Sequence, residues 1–114
     1  MEETDWDFET QHVETVHTCE HLRDEKGVKP KTDIMLDLFF VPIEGEENRR
    51  DACIKALETF GYSPEDSDAP DAIQVSVGPI PFTPQDIWAH EERATKIALS
   101  RGYKPDGWGF FEPI

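Results

Sequence analysis

Gly61-Tyr62-Ser63-Pro64 and Gly102-Tyr103-Lys104-Pro105 are two versions of one block, 41 residues apart in a chain of 114 residues. Each block follows a stretch with apolar residues at helical spacing, so its glycine falls where a helix ends and a left-handed backbone is favoured. The tyrosine then opens the next extended stretch. The repeat therefore predicts two strand–helix–strand units that follow one another along the chain.

The stretches around the blocks set the bounds of these units. We expect strands near residues 34–41, 73–78 and 103–111, and helices near residues 46–60 and 84–101. A short strand directly after the first block completes the first unit. Two such units in succession make a four-stranded antiparallel sheet with both helices on one face. The predicted fold is therefore α+β, a ferredoxin-like βαββαβ sandwich.

The start of the chain adds two segments to this core. Residues from about 11 to 26 have a helix-forming composition that breaks at Gly27, which predicts an extra N-terminal helix with a thin apolar stripe. Residues 1–9 are predicted to be an acidic, flexible N-terminus, and residues 10–114 a single domain. Further along, Thr83-Pro84-Gln85-Asp86 supplies an N-cap hydroxyl and a proline at the first helical position, which marks a helix start.

Acidic residues outnumber basic residues by 25 to 11, giving a net charge of -14 and a pI of about 4.5. A charge of this sign repels nucleic-acid phosphates and attracts basic protein segments, so direct nucleic-acid binding is not expected. No stretch approaches the roughly 18 apolar residues of a membrane helix, and the acidic start is unlike a signal peptide. We expect a cytoplasmic protein without a membrane partner. Cys19 and Cys53 stand alone in the sequence, which is typical of reduced, structural cysteines.

Two stretches point to an interaction surface. The strand at residues 34–41 is apolar on both sides, which predicts that its second face is covered by the N-terminal helix or by a partner. In the last strand, Trp108 and Phe110 project to one face, while Gly107 and Gly109 leave the other face bare. The bare face would allow another molecule to approach the backbone closely.

Three features of the sequence bear on metal binding, catalysis and aromatic contacts with a partner. His17 and His21 share a helix face and could bind a metal ion, but no third ligand is placed beside them, so we expect no metal. His90 and Glu91 lie on a helix without a readable arrangement of nucleophile, base and orienting group, so we expect no catalysis. Trp88 is either packed in the core or an aromatic anchor of a binding surface.

The order of elements resembles that of the regulator of ribonuclease activity B family, small acidic bacterial proteins that act by binding. The resemblance covers about residues 10–112. It consists of a leading helix, a strand ending in Phe39-Phe40-Val41-Pro42, a helix closed by Phe60-Gly61-Tyr62, a middle strand, a long helix and a terminal strand with Asp106-Gly107-Trp108-Gly109. Pro105 stands where the family commonly has tyrosine. The resemblance implies a ferredoxin-like fold and binding to ribonuclease E that restrains its RNA cleavage. We expect no cofactor.

The charge and the resemblance together predict a non-catalytic, regulatory protein-binding domain whose partner is a basic protein segment, such as one of ribonuclease E. The predicted partner-binding residues are Asp106, Gly107, Trp108, Gly109, Phe110, Glu46, Glu47, Asp66 and Asp68. The alternative is a small-ligand-binding module or minor enzyme that uses the sheet face near Gly107 and Gly109. A third reading is a metal-binding protein built on His17 and His21.

Overall fold

The computed structural model describes residues 6–45, 47, 49–65 and 71–112. In chain order the elements are helix α1 (Phe8–Lys26), strand β1 (Asp33–Pro42), helix α2 (Arg50–Thr59), strand β2 (Ser63–Glu65), strand β3 (Ile73–Pro81), helix α3 (Pro84–Leu99) and strand β4 (Tyr103–Phe111). The fold is α+β, and the predicted N-terminal helix precedes the strands. This helix begins at Phe8, inside the segment predicted to be flexible. None of the helices in the described ranges is long and apolar enough to cross a lipid bilayer.

The four strands form one antiparallel sheet in the order β2-β3-β1-β4. The central strand β1 buries every second side chain on one face, which we call the helix face: Ile34, Leu36, Leu38 and Phe40. The alternate side chains of β1 include Met35, Asp37 and Phe39, and each is only partly exposed. We call the face that carries these three residues the open face.

All three helices lie on the helix face. Helices α2 and α3 pack on the sheet and on each other, and α1 packs against α3. The expectation that the N-terminal helix could cover the second face of the sheet is therefore wrong. The reason is that α1 buries Gln11, Thr15 and Cys19, and this mixed row fits against polar side chains of α3 better than against an apolar sheet.

The predicted start of α3 and the predicted positions of the glycines after α2 and α3 are confirmed. The Thr83 hydroxyl accepts a hydrogen bond from the backbone N–H of Asp86 at 3.0 Å, so α3 begins where its capping sequence predicts. Gly61 and Gly102 follow their helices with φ values of 95° and 85°. Tyr62 and Tyr103 after them are each 1% exposed. The repeated block therefore ends a helix and anchors the next strand in the core.

Helix α2 is shorter than predicted. It begins at Arg50 rather than near residue 46, because the backbone N–H of Arg49 donates to the carbonyl of Arg101 at 3.0 Å, which makes Arg49 the residue before the helix. At the other end, Phe60 lies outside the helix and is 55% exposed, so it does not contribute to the buried side of α2. Cys53 and Leu57 are the buried residues of this helix.

Candidate functional site

In strand β4 the aromatic residues Trp108 and Phe110 lie on the opposite face of the sheet from Gly109. Trp108 lies opposite Leu38 and Phe110 opposite Leu36, which places both aromatic side chains on the helix face. Both are partly buried and pack against the core, and the Phe110 ring centroid lies 5.5 Å from that of Phe82. Their main contribution is therefore to the packing of the domain.

Gly107 is needed for the path of the backbone. From Leu38 to Phe40, strand β1 advances two residues, while its partner β4 advances three, from Trp108 back to Pro105. The extra residue in β4 is a β-bulge, and within it Gly107 has a φ of 103°. A residue with a side chain is strained in this conformation. Glycine is therefore needed at position 107 mainly for its backbone conformation, and the absence of a side chain there is a consequence.

Gly109 does leave space on the open face. It has no positive φ, and a Cβ built on it would lie 3.8 Å from Cε2 of Phe39, an ordinary contact distance. The edge of the Phe39 ring therefore stands beside a position with no side chain. Asp106, the first residue of the motif, is exposed at the bulge.

Asp37 lies directly opposite Gly109 and is the residue that sequence reasoning missed. On the other side of β1 it faces Ser76, and Ser76 faces Ser63 of β2. Asp37 is thus the one large polar side chain in a row that crosses all four strands of the sheet. The signal that could have identified it is an acid in the middle of a strand whose neighbouring residues on both faces are apolar.

The electrostatics of Asp37 are unusual for a carboxylate on a sheet. Its Oδ1 atom is shielded from solvent and has no hydrogen-bond partner among the described residues. Burial raises the pKa of Asp37, and the nearby carboxyl of Glu65 raises it further. Glu65 itself accepts a hydrogen bond from Nε2 of Gln74 at 2.8 Å. The ion pairs found in the described ranges join other residues, so neither carboxyl is neutralised by Lys or Arg there.

The predicted acidic residues are only partly placed by the structure. Glu47 is exposed in the loop between β1 and α2. That loop is bonded to the start of β4, through Ile43 N–H to the Gly102 carbonyl at 2.9 Å, whereas Phe110 lies near the end of β4. Glu47 is therefore not brought together with Phe110. Three other predicted residues lie outside the described residues: Glu46, Asp66 and Asp68.

A second set of buried polar groups joins α1 to α3. The carboxyl of Glu91, 5% exposed, accepts hydrogen bonds from the hydroxyl of Thr15 and from Nε2 of Gln11, the latter at 3.4 Å. Gln11 also donates to the Thr95 hydroxyl at 3.2 Å. Burial raises the pKa of Glu91 to about 7, although the two hydrogen bonds lower it. These four residues form the polar interface between the two helices.

The other residues considered in the sequence are dispersed. Trp88 stacks on His12 of α1, with ring centroids 4.6 Å apart, so it joins the two helices. Nδ1 of His90 lies 3.0 Å from the hydroxyl of Tyr62, on a different side of α3 from the contacts of Glu91. His17 and His21 are exposed on α1. Within the part of the chain that the structure describes, no three His, Cys, Asp or Glu side chains are grouped so that they could hold a metal ion.

Comparison with known proteins gives no match, since no protein-family model fits the sequence and no curated protein is significantly similar to it.

Proposed function

We propose that this protein is a non-catalytic regulator of the bacterial cytoplasm that binds a basic segment of an RNA-degrading endoribonuclease, such as ribonuclease E, and restrains its cleavage of RNA. The observation that carries the proposal is the open face, an uncovered sheet surface with two acidic side chains, Asp37 and Glu65, that lack a Lys or Arg partner in the described residues. The net charge of -14 favours a basic partner in the same way. The family resemblance supplies the class of partner.

The arrangement of the sheet supports the finer description of the fold. The core elements follow the order β-α-β-β-α-β, and the antiparallel strands are ordered β4-β1-β3-β2 when read from the other edge. We propose that this is a ferredoxin-like domain with an added N-terminal helix. Such a domain leaves one sheet face free for a partner when its helices lie on the other face.

The mechanism we propose is competition for a basic surface. A segment that binds RNA through Lys and Arg presents the same positive groups to carboxylates, so a bound acidic domain occupies the groups that RNA needs. The protein itself repels RNA, because both carry negative charge. Inhibition then requires neither a nucleophile nor a general base on this chain.

The test is binding of the full chain to purified ribonuclease E from the same cell, with RNA as a competitor. We expect a complex whose association slows as salt rises, since the Debye length falls from about 10 Å at 0.1 M to about 3 Å at 1 M. We also expect RNA cleavage by the enzyme to slow when the complex forms. A parallel titration of this chain with RNA alone should show no binding.

Two results would count against the proposal. Direct binding of RNA by this chain at physiological salt would show that its negative field does not govern its choice of partner. Absence of any complex with ribonuclease E or with another basic protein would favour the small-ligand alternative at the sheet face near Gly107 and Gly109.

A further inference from the structure

On the open face, Asp37 lies between neighbours that have a small side chain or none. Its cross-strand neighbours on the open face are Gly109 on one side and Ser76 on the other, and Ser63 continues the row. Ser76 is only 6% exposed, so the room for an incoming group lies on the side of Gly109, which has no side chain. Because Gly109 has no side chain, it does not cover the edge of the Phe39 ring beside it.

The carboxyl groups in this row lack a cation. Oδ1 of Asp37 has no donor among the described residues, and the nearest charged group that affects Asp37 is another acid, Glu65. A side-chain hydrogen bond links Glu65 to Asp37, and such a bond between two carboxyls needs a proton on one of them. In the described part of the chain, Oδ1 of Asp37 is a shielded acceptor without a donor, which costs the hydrogen bonds it would make in water. A cationic donor at the two carboxyls would supply a donor to Oδ1 and would allow both groups to ionise.

The apolar residues beside the carboxyls indicate which cation fits. Phe39 lies one row from Asp37 on β1, and Met35 lies on the other side of Asp37 opposite Phe111, which is 49% exposed. A guanidinium group is planar, stacks on aromatic rings and donates to carboxylates through two N–H groups at once. An ammonium group is a compact, strongly hydrated charge that gains less from an aromatic surface. The combination of acids and aromatic rings therefore favours arginine over lysine.

We propose that the open face binds an arginine side chain of the basic partner, with the guanidinium group against the carboxyls of Asp37 and Glu65 and one of its flat sides against the Phe39 ring. This inference rests on the proposed function, because it names the group through which a basic partner is recognised. It places the recognition on the open face rather than on the aromatic residues of the helix face, Trp108 and Phe110.

The test uses a short fluorescent peptide in which arginine alternates with glycine and serine, and a matched peptide with lysine in place of arginine. Binding to the full chain is measured by fluorescence anisotropy at about 0.1 M salt, where charges act over roughly 10 Å. The variants are Asp37→Asn, Glu65→Gln and the double variant. The matched control is Glu58→Gln, which removes the same charge from an exposed position on α2.

We expect the arginine peptide to bind more tightly than the lysine peptide. We expect the double variant to lose about tenfold in affinity, and the control about twofold or less, because a distant exposed charge acts only through the screened field. Amide resonances of Gly109 and Ser76 should shift on binding in the unaltered chain. Circular dichroism of each variant confirms that it is folded, and Glu65→Gln, at an exposed position of β2, provides a variant with little effect on the core.

Two outcomes separate the inference from the function on which it rests. If the control and the double variant weaken the peptide equally, or if lysine binds as well as arginine, the chain attracts basic segments only through its overall charge, and the arginine site is wrong while the proposed function stands. If neither the peptides nor ribonuclease E bind the unaltered chain, both are wrong.

Discussion

Replacing Glu91 by glutamine is expected to remove a large pH dependence from the stability of the protein. The carboxyl of Glu91 is buried between α1 and α3, where Thr15 and Gln11 donate hydrogen bonds to it. The acidic groups that face it from α1 are the carboxyl of Glu14, which raises its pKa, and the thiol of Cys19. Glutamine has nearly the same shape but carries no charge at any pH.

The size of the effect follows from the pKa of Glu91. Burial raises this pKa to about 7 in the folded protein, from the ordinary value of 4.5. The folded chain therefore binds an extra proton between these two pH values, and stability falls as pH rises through that window. The contribution is fully present below pH 4.5 and is lost above pH 7. At 1.36 kcal/mol per pKa unit, the loss is about 3 kcal/mol.

Denaturant unfolding of both proteins between about pH 5 and pH 9 measures this contribution. Between these pH values we expect the unaltered chain to lose about 3 kcal/mol more of its unfolding free energy than Glu91→Gln does. The control is Glu92→Gln, whose side chain is 41% exposed on the same helix. A difference that stays constant within about 0.5 kcal/mol would refute the reasoning, since it would mean that Glu91 titrates alike in the folded and unfolded chains.

Three further predictions concern the core and the last strand. Trp108→Ala should cost about 2 to 3 kcal/mol in denaturant unfolding, because the ring is partly buried; a loss below about 1 kcal/mol would mean that it does not contribute to the core. Gly107→Ala should cost about 1 to 3 kcal/mol through its φ of 103°, whereas Gly109→Ala should be nearly neutral in the same melts; equal costs would contradict the assignment of the bulge. Burial raises the pKa values of Cys19 and Cys53 to about 11, so both should react with a thiol reagent at least about 100-fold more slowly in the folded chain than in denaturant; rapid labelling without unfolding would contradict their burial.

The parts of the fold that were predictable depend on interactions between residues close together in the sequence. The N-cap of α3 joins Thr83 to Asp86, and Gly61 and Gly102 lie within three residues of the helices that precede them. The alternation of buried residues in β1 repeats every second position. Such patterns are readable because capping, backbone conformation and pleating act over a few residues. The start of α2 was not predictable, because it is set by a bond between Arg49 and Arg101.

The candidate site shows the same division. From the sequence we predicted that another molecule could approach at the glycines of β4, but Asp37 drew no notice, because it becomes notable only when Gly109 and Ser76 lie on either side of it. Likewise, Glu91 looked like an ordinary helical acid until α1 was placed over it with Thr15 and Gln11.

The sequence by itself determined the α+β class, the helix before and the strand after each Gly-Tyr block, and the excess of negative charge, because local backbone preferences and composition are properties of the chain alone. Among the residues that the structure describes, the tertiary structure decided which face of the sheet is left without helices, which carboxyls are buried, and which of them lack a cation. These features depend on contacts between residues far apart in the sequence, such as the buried hydrogen bond from Thr15 to Glu91. Burial and close approach of charges determine pKa values and binding, and both arise only when the chain is packed.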